Sequence, residues 1–483
     1  MSYIIEPKLG AEYDVVVCGG GTAGVIAAIA AAREGAKTLL LERSFNLGGM
    51  LTVGEAGITK FTEHCKNLDV YKSEVVDILS TNPKKVQVAG GIAHEYCMRM
   101  IRTGGALGTN GECGSYVFTD RYCAQLTLID MLKEAGVDVL YDTRVCLVNM
   151  DGNTLRGVVA VNKEGFTEFS AKRVIDCTGD ADVAALSGVD YVLGATAEDV
   201  ADGGAKNVGQ LQVCGVMYRI TGLDFEELFA YLDEHPEKFR VQGMGQMSYD
   251  EVKKRHRGGE MAVFCLALNN PTTGEDSYFQ VYNTPEKSGA ILLSFNSCSD
   301  LNRYECNPLN AAELSAGQDH LLHGAHKFTE LIRESYPAFK NARVCYVPDV
   351  GVRESRHIIG EYKLSMLDVI LGRDFEDSIA CGGHSVDVHP RPKEVQDMDM
   401  NHWRFHIPYR VMLPKKVENL LVAGRCISAS RVASGAIRPT VQCMALGEAA
   451  GTAAAMSIKD NVSCRELDVS KLRERLIENG AII

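Results

Sequence analysis

Short apolar runs, each about the length of one strand, recur along the chain between helical and turn-rich stretches. Residues 13–18 read YDVVVC, and an unbroken run of β-branched apolar residues predicts a parallel strand buried on both faces. Residues 23–33 are rich in alanine and are followed by Gly35, which predicts a helix with a glycine C-cap. A second apolar run occupies residues 37–41. The pattern therefore predicts a strand, a helix and a second strand.

Glycines fill the turn between the first strand and its helix. Gly19, Gly21 and Gly24 have the spacing that brings backbone N–H groups and the helix dipole to a pyrophosphate. Glu42 follows the second strand roughly 20 residues later, where its carboxylate can accept hydrogen bonds from ribose hydroxyls and would repel a 2′-phosphate. These residues predict a dinucleotide site and leave both NAD and FAD open. The alternative is a glycine-rich turn without a ligand.

Nucleotide-binding features recur twice farther along the chain. Short alternating strands precede an apolar strand that leads into Thr178, Gly179 and Asp180. Another apolar strand runs into Gly424 and Arg425, and a helix with a small-residue face is predicted over 442–456. We assign residues 1–60, 136–190 and 411–483 to the nucleotide-binding domain with C-terminal helices, 61–135 to a substrate-facing insertion and 191–410 to a substrate domain.

Composition narrows the class of protein. The 483-residue chain has a net charge of −13, which argues against nucleic acid as a partner because a polyanion would be repelled. A basic leader and an apolar run of membrane-spanning length are not seen, so a soluble cytoplasmic protein without membrane contact is expected.

The sixteen cysteines indicate neither a metal site nor a redox motif. The closest two are Cys298 and Cys306, and no Cys-x-x-Cys pair occurs. This spacing argues against a zinc ribbon, an iron–sulfur run and a vicinal redox disulfide. Scattered cysteines in a large chain are instead expected to be buried thiols in a reducing compartment.

Six stretches of the chain resemble one family. They are GGGTAGV at 19–25, ERSFNLGGMLT at 42–52, CTGDADVAALSG at 177–188, GVRESRHIIGEY at 351–362, VDVHP at 386–390 and the block at 407–455 that begins IPYRVMLPKK. Together they resemble the FAD-dependent oxidoreductase family of the glutathione-reductase type 2 superfamily, which also holds fumarate-reductase-like enzymes. The long C-terminal block is the most specific part of this resemblance.

The resemblance implies an α/β fold, with a Rossmann-like FAD-binding domain built on a parallel sheet with a β-meander and an inserted α+β substrate domain. It implies extended FAD, whose flavin meets the double glycine and the N-terminus of the last helix, where helix N–H dipoles stabilise the negative charge of reduced flavin. No histidine precedes the double glycine, so non-covalent FAD is expected. The implied cofactor-binding residues are Gly19, Gly21, Thr22, Ala23, Gly24, Glu42, Arg43, Gly48, Gly49, Met50, Val145, Thr178, Gly179, Asp180, Gly424, Arg425 and Arg438.

A basic cluster supplies the first catalytic candidates. Arg353, Arg356 and His357 lie within five residues of one another, together with Glu354. Such a cluster can hold a carboxylate or a hydroxyl-rich substrate, or stabilise a flavin anion. The alternative is a solvated turn with one salt bridge to Glu354.

Asp387 and His389 are the second set of candidates. They share one face if residues 385–389 form a strand, and His384 is close by in sequence. An aspartate raises the basicity of a neighbouring histidine and fixes its tautomer, as a proton acceptor for hydride chemistry requires. The alternative is a structural pair that caps the loop before Pro390.

Residues 402–410 supply further substrate contacts. Tyr409 is a candidate catalytic residue and Arg410 a candidate contact, because both lie in the family-like block. If this stretch alternates like a strand, its side chains lie on two opposite faces. One face carries His402, Arg404 and His406, and the other carries Trp403, Phe405, Ile407 and Tyr409. The sequence does not say which face meets the flavin.

Other polar residues carry weaker signals. Arg431 stands where relatives are expected to have a histidine, so a fixed cation would replace a proton acceptor. Cys113 is interpreted as an inert thiol. Three histidines at three-residue spacing are interpreted as ordinary helix-surface residues rather than metal ligands: His320, His323 and His326.

The expected activity is that of an FAD-dependent dehydrogenase or oxidase. It would transfer a hydride to flavin N5 from a small, hydroxylated substrate such as a sugar or glycoside, with His389 as the base and Arg353 or Arg356 holding the substrate. The alternatives are a reductase of an activated C=C bond and a non-catalytic electron-relay subunit. The expected partner is a small-molecule substrate, while the direction of transfer, the electron acceptor and homo-oligomer formation are left open.

Overall fold

The described chain alternates short strands with helices. The structure is a computed structural model and describes residues 6–59, 62–64, 85–114, 116–241, 247–269, 276–295, 300–384, 386–389 and 404–483. Its strands are β1 (Lys8–Leu9), β2 (Tyr13–Cys18), β3 (Thr38–Leu41), β4 (Ile58–Thr59), β5 (Thr62–His64), β6 (Lys85–Gln87), β7 (Tyr116–Val117), β8 (Asp138–Leu140), β9 (Arg144–Asp151), β10 (Thr154–Asn162), β11 (Gly165–Asp176), β12 (Tyr191–Leu193), β13 (Cys214–Gly215), β14 (Tyr218–Thr221), β15 (Phe239–Arg240), β16 (Val263–Asn269), β17 (Asp276–Asn283), β18 (Ala290–Phe295), β19 (Arg303–Tyr304), β20 (Arg343–Tyr346), β21 (Arg356–Ile358), β22 (Ser378–Gly382), β23 (Phe405–Pro408) and β24 (Leu420–Val422). Its α-helices are α1 (Thr22–Arg33), α2 (Gly91–Arg102), α3 (Arg121–Ala135), α4 (Asp182–Leu186), α5 (Ala197–Ala201), α6 (Phe225–Glu234), α7 (Tyr249–Arg257), α8 (Ala311–Ser335), α9 (Met366–Ile370), α10 (Arg431–Ile437), α11 (Thr440–Lys459) and α12 (Val469–Glu478).

The largest sheet combines parallel strands with a β-meander. Its order is β8, β3, β2, β11, β10 and β9, and both β1 and β24 also pair with β11. The pairs from β8 to β11 and the pair of β11 with β24 are parallel, whereas β9, β10 and β11 are antiparallel neighbours. β11 can serve both halves because its 12 residues pair first with β10 and then with β2 and β24. The predicted mixed α/β fold is confirmed.

Helices α1 and α11 pack with their backbones in close contact beside this sheet. A Cβ atom at Gly447 would lie 2.2 Å from the Ala23 carbonyl oxygen, and one at Gly451 would lie 2.2 Å from the Ala27 carbonyl oxygen. Only glycine permits such an approach. The small-residue face predicted for the last long helix is therefore confirmed, although the helix covers Thr440–Lys459 and is longer than predicted.

A second, antiparallel sheet lies within residues 218–346. Its order is β15, β16, β17, β18, β14 and β20. Phe279 of β17 packs edge-on against Phe328 of α8 and Phe339, with ring centroids 5.6 and 6.1 Å apart. This sheet therefore has an aromatic core of its own, distinct from the alanine-rich packing of α1 and α11. The predicted division of the chain into five segments stays a prediction.

A buried ion pair connects the segment after the double-glycine turn to the second sheet. Glu55, which follows the double-glycine turn, accepts a hydrogen bond of 2.6 Å from Arg219 Nη2 on β14. Both side chains are almost completely buried. Loss of either partner would leave a buried charge unpaired, so the pair fixes the second sheet against the turn.

One pair of cysteines departs from the expected scatter of thiols. Cys97 of α2 and Cys113 form a disulfide across 16 residues. Cys113 is thus not the free thiol that its sequence context suggested. The pair could not be predicted from a Cys-x-x-Cys motif, because the two cysteines are too far apart in sequence. Most other described cysteines are buried thiols, as expected. Among the described helices, none is long and apolar enough to cross a membrane.

Candidate active site

The first glycine turn is shaped by close backbone contacts and one open position. Gly19 has φ +96°, and a Cβ atom at Gly24 would lie 1.8 Å from the Gly19 carbonyl oxygen. Gly21 differs, because a Cβ atom there would meet no protein atom within 4 Å. The turn therefore requires glycine at positions 19 and 24 for its own conformation, and leaves space beside Gly21 and the first turn of α1, where an anion is favoured.

Glu42 links this turn to the end of β3. Its Oε2 accepts a hydrogen bond of 2.7 Å from Gly20 N–H, and its Oε1 accepts one of 2.7 Å from Ser44 N–H. The side chain is buried, whereas the neighbouring Arg43 is exposed. The Glu42 carbonyl accepts from Thr143 N–H, which brings the start of β9 and Val145 to the same edge. Each carboxylate oxygen retains a lone pair for a further donor.

The double-glycine turn packs directly on the first one. Gly48 N–H donates to the Gly20 carbonyl at 2.8 Å, and Thr22 Oγ1 donates to the Gly48 carbonyl at 3.0 Å. A Cβ atom at Gly49 would lie 3.2 Å from Gly21 Cα. Met50, in the following turn, is partly exposed at 36%. The structure thus brings residues 19–24 and 48–50 together.

A third turn adds charge to this edge. Arg425 Nη2 lies 2.6 Å from Asp180 Oδ1, and the guanidinium covers Gly179. Burial alone would raise the pKa of Asp180, but Arg425 and Ser355 hold it below its usual value. Gly424 adopts φ +96° and approaches Ala23 of α1. The distant C-terminal turn therefore lies beside the first glycine turn.

Several buried polar atoms around these turns have no hydrogen-bond partner among the described residues. They are Arg425 Nε, Arg438 Nε, the Ser434 hydroxyl and both polar atoms of the Gln442 side-chain amide. Three of these residues flank the start of α11. Each unpaired buried group costs about 1–3 kcal/mol. A ligand with polar groups along one edge would pair with these atoms, which fits a nucleotide cofactor that extends from Gly21 to α11.

Arg438, which lies two residues before the start of α11, belongs to a group that we call the charged cluster: Arg353, Asp387, His389 and Arg438. Asp387 lies 2.7 Å from Arg438 Nη2 and 2.7 Å from His389 Nε2. Arg438 Nη2 also donates to the Asp387 carbonyl at 2.8 Å. Burial alone would raise the pKa of Asp387, but Arg438 and His389 hold it well below its usual value. The carboxylate is therefore ionised.

His389 is held as a neutral ring by its surroundings. Burial lowers the pKa of His389 to about 4, with Arg353 and Arg303 acting in the same direction and Asp387 opposing them. In the neutral ring, Nε2–H donates to Asp387 and Nδ1 is the acceptor nitrogen. The arrangement can take a proton at Nδ1 while Asp387 stabilises the resulting cation.

Arg353 adds a buried cation to the cluster. Its Nη1 donates to the Val213 carbonyl at 2.7 Å, and it approaches Gly215 so closely that a Cβ atom there would lie 2.9 Å away. Burial lowers the pKa of Arg353 to about 9, and repulsion by the charges of Arg438 and Arg303 acts in the same direction. It is still charged at neutral pH, so it can attract an anionic group.

The other two residues of the basic segment have structural contacts. Arg356 Nη1 donates to the Asp180 carbonyl and to Asp182 Oδ1, both at 2.9 Å. His357 is buried with Nδ1 3.2 Å from the Ile427 carbonyl, and burial lowers its pKa. Their described contacts brace the third turn and do not belong to the charged cluster.

Tyr409 is also placed away from the cluster. Its ring is completely buried, and its hydroxyl donates to the Cys464 carbonyl at 2.8 Å. Arg410 is turned to Asp377, with Nε and Oδ2 2.8 Å apart. The proposed substrate contact at Tyr409 is therefore corrected: the hydroxyl stabilises the packing of the C-terminal segment.

Arg431 and Glu354 form a buried ion pair. Arg431 Nε also donates to the Gly204 carbonyl, and Glu354 accepts from Gln212 N–H at 2.7 Å. Both side chains are almost fully buried, so the alternative of a solvated turn around Glu354 is wrong. Arg431 is a structural cation, which supports the expectation that it does not act as a proton acceptor.

The remaining candidates lie outside the cluster or outside the described residues. His402 and Trp403 are among the latter. Arg404 Nε donates to Cys381 Sγ, and His406 Nδ1 lies 3.2 Å from Ser378 Oγ. His320 Nε2 contacts the Asp300 carbonyl at 2.7 Å. Within the described ranges, no three His, Cys, Asp or Glu side chains are placed to bind a metal ion.

Sequence reasoning missed two contributors to this region. Gln442 gave one usable signal, a polar side chain that is buried within an apolar helix. Arg303 acts on Arg353 and His389 from β19, a strand remote in sequence, and no local pattern indicated it.

The sequence profile of the family described as FAD dependent oxidoreductase matches residues 14–476. The chain belongs to this family. FAD is its cofactor, and the fit of the glycine turns and unpaired polar atoms to a nucleotide agrees with that assignment. The family also makes the protein an oxidoreductase.

Individual relatives match only part of their length. A digeranylgeranylglycerophospholipid reductase of Methanococcoides burtonii is 29% identical over 187 residues, or 38% of this chain and 41% of that protein. An NADH:fumarate oxidoreductase of Klebsiella pneumoniae is 28% identical over 195 residues, or 35% of this chain and 20% of that protein. The chain thus spans less than half of the length of each of these two curated relatives.

A solved structure aligns with nearly the whole chain. It is a geranylgeranyl bacteriochlorophyll reductase-like protein from Thermoplasma acidophilum, with 15% identity, a TM-score of 0.44, and coverage of 97% of this chain and 84% of that one.

Proposed function

We propose that this flavoprotein, of the glutathione-reductase type 2 kind, oxidises a small polar substrate at the charged cluster. Bound FAD supplies a flavin N5 that accepts a hydride. The residues that would hold FAD are Gly19, Gly21, Thr22, Ala23, Gly24 and Thr178–Asp180 at the pyrophosphate, Glu42, Arg43 and the Val145 backbone at the adenosine, and Gly48–Met50, Gly424, Arg425, Arg438 and the N-terminus of α11 at the flavin and ribityl chain.

The pairing of Asp387 with His389 carries the proposal. A neutral imidazole with one nitrogen fixed by a carboxylate can accept the proton of a substrate hydroxyl at Nδ1. The substrate carbon loses its hydride as its oxygen loses this proton, so an alcohol becomes a carbonyl. Asp387 would hold the ring in position and stabilise its charged form.

The cations around His389 support a hydroxylated substrate that also carries an anionic group. Arg353 and Arg438 flank the cluster, and Asp387 already pairs with Arg438. A carboxylate beside Arg353 would offset a buried positive charge and form a charge-assisted hydrogen bond. It would also reduce the repulsion that lowers the pKa of His389, so the base would strengthen when substrate binds. Hydroxy acids and sugar acids have this combination of groups, which refines the expectation of a sugar or glycoside.

The reverse reaction is a second candidate. One relative named above is an NADH:fumarate oxidoreductase, which supports reduction of a C=C bond activated by a carbonyl. The same cations would then hold the activating carboxylate, and protonated His389 would supply the proton.

An anaerobic titration of the purified, oxidised holoprotein distinguishes these functions. Hydroxy acids, sugar acids, neutral sugars and amines are added in turn while the visible flavin band is recorded. Bleaching by a hydroxylated acid supports the proposal. Bleaching by none of them, with reoxidation of chemically reduced protein by an enoate, supports the reductase. Failure of both reactions together with stable co-purification of partner subunits would favour an electron relay.

A further inference from the structure

A second site lies apart from the cofactor turns and the charged cluster. It is a cavity of about 290 Å³ between α1, α2, α11 and α12, and we call it the helix cavity. Residues that line it include Arg33, Glu95, Glu448, Thr452 and Arg475. The volume is at the lower end of the range for small-molecule pockets.

Two buried polar side chains on α11 line the cavity without complete hydrogen bonding. Glu448 is 2% exposed, and its Oε2 accepts from Ile92 N–H at 3.0 Å. Its Oε1 has no partner among the described residues, and neither does the fully buried hydroxyl of Thr452, one turn later. Gly91 makes room for the carboxylate, because a Cβ atom there would lie 2.4 Å from both of its oxygens. Unpaired buried acceptors favour a ligand that donates hydrogen bonds.

The charges around the cavity determine which ligand fits. Arg33 makes two hydrogen bonds with Glu95, of 2.6 and 3.0 Å. Arg475 makes two with Glu34, of 2.8 and 3.0 Å. Among the described residues, no arginine pairs with the Glu448 carboxylate in this way. An anion would be repelled by it, and an apolar molecule would leave its Oε1 unsatisfied.

We propose that the helix cavity binds a small molecule with a primary ammonium group. The ammonium would donate to Glu448 Oε1 and to the Thr452 hydroxyl, and the charge of the cation would balance the buried carboxylate. A bare metal ion fits less well, because the described residues provide no cluster of three ligands there. This site is independent of the proposed hydride transfer, since none of its lining residues belongs to the charged cluster.

The protonation of Glu448 gives binding a characteristic pH dependence. Burial raises the pKa of Glu448 to about 7, with Glu95 acting in the same direction and Ile92 N–H and Arg33 opposing it. The groups that face it are Arg33, Glu34, His94, Glu95 and Arg475. An ammonium requires the ionised carboxylate, whose fraction rises about tenfold between pH 6 and pH 8, so the affinity should rise about tenfold over the same interval.

Calorimetric titration of the FAD-loaded chain with ethanolammonium chloride tests the proposal. Ethylene glycol and acetate serve as neutral and anionic probes of similar size. We expect saturable one-to-one binding of ethanolammonium and none of the two other probes. The affinity for ethanolammonium should be at least about tenfold lower in Glu448→Gln and several-fold lower in Thr452→Val. The control is Glu474→Gln, which removes the same charge from the exposed face of α12 and should bind like the wild type.

Three results would overturn the proposal: no saturable heat with ethanolammonium, equal binding of ethylene glycol, or unchanged affinity in Glu448→Gln. The first would mean that the cavity holds water only. Flavin absorbance and the melting temperature verify that each variant is folded. If Glu448→Gln does not fold, Thr452→Val decides, because unchanged affinity in that variant also contradicts the predicted contacts.

Discussion

The glycine turns around Gly21 and the charged cluster around Asp387 differ in what occupies their interiors. At the turns, glycines leave little side-chain volume, and residues 19–24, 48–50 and 424 approach one another closely. In the cluster, two arginines and an aspartate bring charge together around the neutral ring of a histidine. The first arrangement suits a large ligand held along its length, and the second suits a small one held at a point.

This difference indicates where each region tolerates change. The turns depend on steric fit, so a single methyl group can abolish them or leave them intact according to its position. The cluster depends on electrostatic balance, so isosteric substitutions should preserve the fold and alter the chemistry.

The largest effect is expected for Gly24→Ala. The new methyl group would lie 1.8 Å from the Gly19 carbonyl oxygen, which is backbone that cannot move aside without opening the turn. We expect destabilisation of about 3 kcal/mol or more and loss of bound flavin. Denaturant unfolding and the flavin-to-protein absorbance ratio measure both effects. A stable, flavin-loaded Gly24→Ala protein would contradict the packing described for the turn.

The His389→Gln substitution should remove the proton acceptor of the charged cluster while the fold is retained. If His389 is the base, kcat/KM should fall by about 10²- to 10⁴-fold with unchanged flavin content. The neutral ring is the active form, so wild-type activity should decline as the pH falls through about 4, and the variant should lack this decline. Stopped-flow flavin reduction across pH measures both. His320→Gln on the exposed face of α8 is the control, and equal losses in both variants would exclude a role for His389.

The Gly21→Ala substitution tests the open position of the same turn, in contrast to the closely packed position of Gly24. The added methyl group meets no protein atom within 4 Å, so the stability of the apoprotein should match the wild type. If a pyrophosphate occupies this space, FAD affinity should fall by about ten- to hundredfold, or roughly 1–3 kcal/mol. Fluorescence titration of the apoprotein with FAD measures the affinity. Unchanged affinity would place the pyrophosphate elsewhere.

The effect of Glu448→Gln in amine-free buffer depends on pH, and near pH 4 it is expected to be the smallest of these four. The folded protein holds the Glu448 proton up to about pH 7, whereas the unfolded chain releases it near 4.5, so wild-type stability declines as the pH rises between these values. The variant has no such decline, and should be more stable than wild type at pH 8 by up to about 3 kcal/mol and similar near pH 4. Denaturant unfolding at both pH values tests this, and a pH-independent difference would contradict it.

The first glycine turn and the strands around it were predictable from the sequence. The apolar run at 13–18 is β2, the alanine-rich stretch is α1, and α11 has the expected small-residue face, whose partner α1 was not predicted. Each of these features depends on residues within one turn or one strand, where local geometry dictates the structure. The pairing of Asp387 with His389 was inferred on the condition that residues 385–389 form a strand. The described residues 386–389 form none, although the two side chains do meet.

The sequence by itself determined a dinucleotide site at the first glycine turn and a closely packing face on the glycine-bearing helix, because steric and periodic rules act over short distances. The choice of FAD and the α/β fold came from the resemblance to the FAD-dependent oxidoreductase family. Tertiary structure decided which charges meet. Arg353 joins the cluster whereas Arg356 braces Asp180, Arg431 neutralises Glu354, and the Tyr409 hydroxyl pairs with Cys464. It also placed Glu448 beside a cavity bounded by four helices. Charged and polar side chains choose partners by proximity in the folded chain, and neighbours in sequence do not reveal which partner will be near.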